Sequence, residues 1–199
     1  MREEVEPGVH LSRSSWAWAA KSGRGPASSS GLLPTSASGQ IISPMWTIRP
    51  ARPDEVAAVC AVLRGSIEDL CKADHGDDPT LLGAWLANKT PDHVTGWIND
   101  NPMGFLAAVG PDGIAGVGLV SDNGNIHLNY VAPWARFRGV SKALLRAMEH
   151  RAAEAGATAC MLISTKTAHG FYLGCGYVDT GPPVPSYGML AVPMRHQIG

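Results

Sequence analysis

The sequence predicts a mixed α/β fold of the α+β type, with a mostly antiparallel central sheet of about six to seven strands flanked by about four to five helices. Two observations predict it. Three apolar segments between residues 103 and 131 are separated by the turn signals Gly110–Gly113 and Asp122–Gly124, which is typical of an antiparallel meander. An amphipathic segment, 140–155, then leads to an apolar one, 159–163, which indicates a strand–helix–strand crossover.

The first part of the fold contains one short strand and three helices. Strand 47–49 ends at a proline. Helix 53–70 begins with Pro-Asp-Glu, residues favoured in a first turn, and carries apolar residues at helical spacing. Helices 79–88 and 91–99 each begin with a capping residue followed by proline.

The second part alternates strands with helices. The predicted strands are 103–109, 114–120, 125–131, 159–163, 177–180 and 187–194, and the predicted helices are 140–155 and 168–174. Helix 140–155 places Val140, Leu144 and Met148 on one face, and Gly156 ends it.

Residues 1–44 differ in composition from the rest of the chain. They contain ten serines, five glycines and four prolines, without sustained periodicity. Such a segment buries too little apolar surface to offset the entropy of ordering it, so we predict a disordered tail. No apolar core of a secretory signal follows a charged start. The folded domain is predicted to span 45–199, with Met45 as a candidate natural start.

Charge and cysteine content exclude several classes of function. The chain of 199 residues has 16 basic and 17 acidic residues, so it offers no general basic surface for nucleic acid. No apolar run approaches the roughly 18 residues that span a bilayer, so no membrane partner is expected. The four cysteines form no C-x-x-C pair and match no zinc spacing. We therefore expect free thiols in a cytoplasmic protein and no metal.

The junction between strand 125–131 and helix 140–155 carries the chemistry. A loop with Arg136 and Arg138 leads to Gly139, and Lys142 lies in the first helical turn. The first turn of a helix presents unpaired N–H groups, and glycine lets a ligand approach them. This arrangement predicts a site for a phosphate or pyrophosphate. The alternative is a basic surface loop. The patterns of nucleotide P-loops and dinucleotide-binding folds are absent here.

Three motifs together resemble the GNAT superfamily of acetyl-CoA-dependent N-acetyltransferases. Arg136–Ser141 is similar to the family's pyrophosphate loop, with serine as its last small residue. Phe171–Tyr177 is similar to its F-Y-x-x-x-G-[F/Y] signature, and Thr47–Asp54 to its usual opening. The resemblance covers 46–194 and implies a GNAT-like fold.

The resemblance also implies acetyl-CoA as co-substrate and direct attack by an amine in a ternary complex. The pyrophosphate would lie on the amides of residues 137–142, and the pantetheine arm along strand 128–131, with an N–H near Val131 for the thioester oxygen. Thr165 and Thr167 stand where the family often has an asparagine that contacts pantetheine. Their hydroxyls are expected either to bind pantetheine or to cap the next helix. The implied cofactor residues are Tyr130, Val131, Arg136, Phe137, Arg138, Gly139, Val140, Ser141, Lys142, Thr165 and Thr167.

The candidate catalytic residues follow from the same resemblance. Tyr172 occupies the position that often protonates the leaving thiolate; otherwise it is a packed aromatic. The glutamate that family members often carry on the fourth strand is missing. His127 on that strand has a suitable ordinary pKa for a base, or it is a structural histidine. Asn129 is a further candidate, through a bound water.

The acceptor is expected to be an amine of a small molecule or of a protein. Segment 68–78 is acidic, and it falls in the region that lines the acceptor side in the family. Asp74 and Asp77 are therefore candidate ligands for a cationic amine, unless the segment is a solvated loop with Asp78 as a helix cap. The alternative function is an acyl-CoA sensor without turnover. A homodimer is left open.

Overall fold

The computed structural model describes residues 46–199, so the predicted tail at 1–44 lies outside the described residues. The strands are β1 (Thr47–Pro50), β2 (Phe105–Gly110), β3 (Gly113–Val120), β4 (Ile126–Val131), β5 (Ala159–Ser164), β6 (Val178–Asp179), β7 (Val184–Ser186) and β8 (Met189–Gln197). The helices are α1 (Val56–Gly65), α2 (Lys72–His75), α3 (Pro79–Leu86), α4 (Pro91–Asp100), α5 (Val140–Glu154) and α6 (Lys166–Leu173). This mixed architecture confirms the predicted fold class.

The strands form two antiparallel groups. Strands β1 to β4 pair in chain order, which confirms the predicted meander. Strand β8 pairs with β5, β6 and β7. The two groups meet at an isolated parallel bridge between Asn125 and Met161, where Met161 N–H donates to the Gly124 carbonyl at 2.9 Å. The eight strands of the described region exceed the predicted count because β7 contains Pro185 and is only three residues long.

Helix α5 packs closely on β3 because two glycines of that strand face it. A Cβ at Gly116 would lie 2.6 Å from Val140 Cγ1, and one at Gly118 would lie 2.8 Å from Met148 Sδ. Side chains alternate along a strand, so Ala115, Val117 and Leu119 face the opposite side, where α1 contacts the same strand. The sheet β1–β4 is therefore covered by α1 on one face and α5 on the other.

Local signals placed the helix starts correctly. Asp78 Oδ1 accepts the Thr80 and Leu81 N–H groups at 2.7 and 3.2 Å. Thr90 Oγ1 accepts His93 N–H at 3.4 Å. The predicted helix 53–70 is instead divided into a 3-10 turn at Pro53–Glu55, α1 and a π-helix at Ser66–Leu70. Within residues 46–199, no helix has the length and apolar character needed to cross a membrane.

Candidate active site

A cavity of about 390 Å³ lies where β4 and β5 diverge. Residues 126–131 of β4 and 162–164 of β5 line it from either side. The strands touch at the Asn125–Met161 bridge and do not pair as a ladder beyond it, so the backbone groups of β4 that face β5 are accessible from the cavity. An extended ligand can add to such an edge through main-chain hydrogen bonds.

The N-terminus of α5 closes one end of the cavity. Phe137 and Gly139 have φ angles of 63° and 80°, both in the left-handed region. Gly139 adopts that conformation without cost, whereas Phe137 is strained there, and strain of this kind clusters at ligand sites. Ala143 N–H donates to the Gly139 carbonyl at 3.0 Å, so the preceding amides come before the helix's own hydrogen-bond ladder. The Arg138 N–H donates to the Ala135 carbonyl at 3.3 Å, and the other amides of residues 137–142 form a group of donors suited to an anion.

The two loop arginines point to different places. Arg136 lines the cavity, with its guanidinium 4.5 Å from the centre of the exposed Phe137 ring. Arg138 does not line it. The Arg138 guanidinium lies 5.3 Å from the Trp46 ring, and its carbonyl accepts the Trp46 indole N–H at 2.9 Å. The side chain that the sequence predicts as a phosphate ligand therefore stacks on an aromatic residue outside the cavity lining.

All other predicted cofactor residues line the cavity: Tyr130, Val131, Arg136, Phe137, Gly139, Val140, Ser141, Lys142, Thr165 and Thr167. A side-chain contact ties the two walls of this region together. Ser141 Oγ donates to Asn129 Oδ1 at 3.1 Å, which joins the first turn of α5 to β4. Asn129 also lines the cavity.

Tyr172 lies in the cavity wall with 7% of its surface exposed. Burial raises the pKa of its hydroxyl to about 12, and the hydrogen bond with Asn129 opposes that rise. The hydroxyl is therefore protonated at neutral pH and able to donate. Edge-to-face contacts with Phe171 and Tyr177, at 5.1 and 5.5 Å between ring centres, fix the ring.

His127 lies on the part of β4 that lines the cavity, and its Nε2 is 3.3 Å from Ser121 Oγ. Desolvation lowers the pKa of His127, which favours the neutral ring that a base requires. None of the described residues that line the cavity is an aspartate or glutamate. The missing strand-four carboxylate is thus not replaced by one from another element in the described region.

The two acidic residues predicted to bind the acceptor lie outside the cavity lining. Asp74 Oδ1 accepts Thr167 N–H at 3.1 Å, so its carboxylate caps α6. Asp77 has a φ of 58°, and its N–H donates to His75 Nδ1 at 3.1 Å. The ring of His75 is buried, with Nε2 3.1 Å from the Ile67 carbonyl. These contacts order the turn after α2.

The opposite end of the cavity is lined by Ser66, Leu70, Cys71, Trp85 and Tyr130. Sequence reasoning missed Ser66 and Trp85, whereas Leu70 and Cys71 fall in segment 68–78, which the resemblance puts on the acceptor side. Trp85 Nε1 donates to the Tyr130 hydroxyl at 3.1 Å across 45 positions of sequence. For Trp85, only its place on the early helix α3 indicates this location. Burial raises the pKa of the Cys71 thiol to about 12, so it stays protonated.

The described region holds no cluster suited to a metal. Among residues 46–199, no three histidine, cysteine, aspartate or glutamate side chains are placed to hold one ion. The four cysteines are free, and three of them are buried.

Comparisons with known proteins agree with this geometry. The family described as acetyltransferase (GNAT) domain matches residues 79–198. No curated protein matches the chain. The GCN5-related N-acetyltransferase structure from Rhodopseudomonas palustris has a TM-score of 0.69 and 23% identity, covering 80% of this chain and 99% of that one.

Two further solved structures are similar and contain the cofactor. The PaiA N-acetyltransferase of Thermoplasma acidophilum, in complex with coenzyme A, has a TM-score of 0.63 and 15% identity, covering 76% of this chain and 98% of that one. YncA of Salmonella typhimurium, with acetyl-CoA, has a TM-score of 0.57 and 18% identity, covering 77% and 94%. At such identities the likeness establishes the fold.

Proposed function

We infer the function from one premise: the chain belongs to the GNAT acetyltransferase family. We propose that it transfers the acetyl group of acetyl-CoA to an amine nitrogen in a ternary complex. The nitrogen attacks the thioester carbonyl, the C–N bond forms, the C–S bond breaks, and CoA leaves as a thiol. The observation that carries this proposal is the position of Tyr172 and the α5 N-terminus on the same cavity between diverging strands.

The cofactor is proposed to lie along the α5 end of the cavity. Its pyrophosphate accepts hydrogen bonds from the amides of residues 137–142, where the helix dipole also favours negative charge. Arg136 and Lys142 add positive charge from the cavity wall. The pantetheine arm pairs with the free edge of β4, and Thr165 and Thr167 face it from the start of α6.

Tyr172 is proposed to protonate the leaving thiolate. Its hydroxyl keeps its proton at neutral pH because burial raises its pKa to about 12. Asn129 orients it through their hydrogen bond, and Ser141 holds Asn129 in turn. These contacts support the proposal that Tyr172 acts as a positioned acid beside β4.

The proton of the attacking amine is proposed to leave through His127 or through a water beside it. The lowered pKa of His127 keeps the ring neutral at pH 7, as a base requires. The thioester oxygen is proposed to accept a backbone N–H near Val131, where negative charge develops in the transition state.

Residues 45–199 are proposed to be the acetyltransferase domain, preceded by a Ser/Gly/Pro-rich tail at 1–44. The free thiols fit a reducing compartment, and we propose a cytoplasmic location.

Thiol release tests the function. The protein is mixed with acetyl-CoA and a panel of primary amines, and free CoA is titrated with a thiol reagent. We expect amine-dependent release, and a Tyr172→Phe variant that retains acetyl-CoA binding but loses roughly a hundredfold or more in kcat. Tyr177→Phe is the matched control, because the Tyr177 hydroxyl donates to Glu149 at 3.0 Å outside the cavity lining. Binding of acetyl-CoA without release by any amine would contradict the proposal.

A further inference from the structure

The cavity has two ends of different character. At one end Asn129 accepts a hydrogen bond from Ser141 at the start of α5. At the other end the next residue of β4, Tyr130, accepts one from Trp85 on α3. We call the second end the acceptor pocket. Its lining residues are Ser66, Leu70, Cys71, Trp85 and Tyr130.

The acceptor pocket is neutral. Its lining consists of two aromatic side chains, one aliphatic side chain, a serine hydroxyl and a cysteine thiol that remains protonated. The lysine and arginine of the cavity lining, Arg136 and Lys142, are both positive, and no described lining residue is a carboxylate. A second positive charge on the acceptor would therefore meet no carboxylate in the described lining, and desolvating such a charge is costly.

The nearby acidic segment does not supply that counter-charge. Asp74 Oδ1 accepts the Thr167 N–H, and Asp74 Oδ2 is buried without a hydrogen-bond partner, outside the cavity lining. The Asp78 carboxylate caps α3. Glu68 lies 3.6 Å from Arg64 on the preceding turn. These three carboxylates contact helix residues, and none of the carboxylates of residues 68–78 lines the cavity, so none is placed to pair with a polycation inside the pocket.

The Tyr130 hydroxyl is a fixed polar group in this pocket. Its oxygen accepts the Trp85 indole N–H, so the phenolic proton is available for a ligand. Trp85 is held in turn by Tyr187, with the rings nearly parallel and their centres 6.1 Å apart. Trp85 is only 2% exposed, so this donor is preorganised before any ligand arrives.

We propose that the acceptor is a compact monoamine with an apolar or aromatic body and a neutral oxygen that the Tyr130 hydroxyl recognises. The body contacts Leu70 and Trp85, and the amine nitrogen points toward β5 and the thioester. Polyamines and basic peptides are poor acceptors. This inference rests on the proposed acetyl transfer and names the substrate class for the same site.

The experiment compares three probes in the thiol-release assay: 2-amino-1-phenylethanol, 2-phenylethylamine and spermidine. The first differs from the second by one hydroxyl, and the third carries additional positive charge. We expect kcat/KM for the hydroxylated amine to exceed that of 2-phenylethylamine by roughly three- to tenfold. Spermidine is expected to be at least about tenfold poorer than either.

The variant Tyr130→Phe removes the hydroxyl and keeps the ring. It should abolish the preference between the two phenyl amines, whereas Tyr177→Phe should keep the preference. A thermal melt with acetyl-CoA confirms that each variant is folded. Faster release with spermidine than with both phenyl amines, or an unchanged preference in Tyr130→Phe, would overturn the inference and leave acetyl transfer standing. No release with any amine would overturn both.

Discussion

The Asp74 carboxylate accepts the backbone N–H of Thr167 at 3.1 Å, so a residue of α2 caps α6, which begins near the cavity more than 90 positions later in the chain. Thr167 itself lines the cavity. This contact ties the acceptor side of the fold to the cofactor side. It also gives the acidic segment 68–78 a structural role at the position where the sequence predicts a ligand for a cationic amine.

Replacing Asp74 tests that role. Asp74→Ala is expected to lower the free energy of unfolding by about 1 kcal/mol, because an N–H in the first turn of α6 loses its acceptor. The KM values for monoamines and for spermidine should change by the same factor. Urea denaturation measures the free energy of unfolding, and the thiol-release assay measures the KM values. Asp69→Ala, at an exposed position of the same segment, is the control. A selective rise in KM for spermidine would restore the acidic segment as an acceptor site.

The two loop arginines should differ in their effect on acetyl-CoA affinity. Arg136→Ala is expected to weaken binding by about 1.5–3 kcal/mol, because a charge-assisted contact with phosphate is lost. Arg138→Ala should weaken it much less, since its guanidinium stacks on Trp46 outside the cavity lining. Calorimetric titration distinguishes them. Equal losses in both variants would mean that the Arg138 side chain turns into the site on binding.

The Arg49–Glu55 ion pair should make stability sensitive to acid. Its two close contacts are 2.5 and 2.9 Å, and the hydrogen bond from Arg49 lowers the pKa of Glu55 from 4.5 to about 2. Above pH 4.5 the pair contributes its full stability, which is lost as pH falls toward 2. We expect Glu55→Gln to cost about 1–3 kcal/mol at pH 7 and progressively less as the pH falls from 4.5 toward 2. Parallel pH–stability curves for the two proteins would contradict this.

Lys89 is a buried lysine that costs stability at neutral pH. It is 1% exposed, hydrogen-bonds to Asn88, and lies 5.1 and 5.6 Å from the Tyr187 and Trp97 ring centres. Burial lowers its pKa from 10.5 to about 8. Between these pH values the unfolded chain binds more protons, so the free energy of unfolding rises with pH.

Lys89→Met is therefore expected to raise the free energy of unfolding at pH 7 by about 1–3 kcal/mol, since no charge needs to be buried. This increase in the free energy of unfolding should be smaller at pH 10. Denaturation at pH 7 and at pH 10 measures it, with Lys72→Met at an exposed position as the control. A loss of stability at pH 7 would show that the aromatic contacts outweigh the desolvation of the ammonium group.

Local chemistry explains which parts of the fold and site were predictable from the sequence. Asp78 and Thr90 cap helices through contacts with residues two or three positions away, so the local sequence is enough to predict their roles. The helix that follows Gly139 is also predicted by local sequence, through the spacing of its apolar residues.

The remaining features depend on contacts between distant segments. Trp85 and Tyr130 meet across 45 positions, and the direction of the Arg138 side chain is set by Trp46, 92 positions earlier. The π-helix at Ser66–Leu70 shares the apolar spacing of the α-helix before it, so periodicity did not distinguish the two. No local pattern reports such contacts.

The most direct test of the account is a calorimetric titration of the protein with acetyl-CoA and, separately, with S-acetylpantetheine, which lacks the pyrophosphate and the nucleotide. If the α5 N-terminus and Arg136 hold the pyrophosphate, acetyl-CoA should bind at least about a hundredfold more tightly than S-acetylpantetheine, and Arg136→Ala should narrow the difference. Equal affinity for the two compounds, or no binding of acetyl-CoA, would contradict the central claim that this cavity is an acetyl-CoA site.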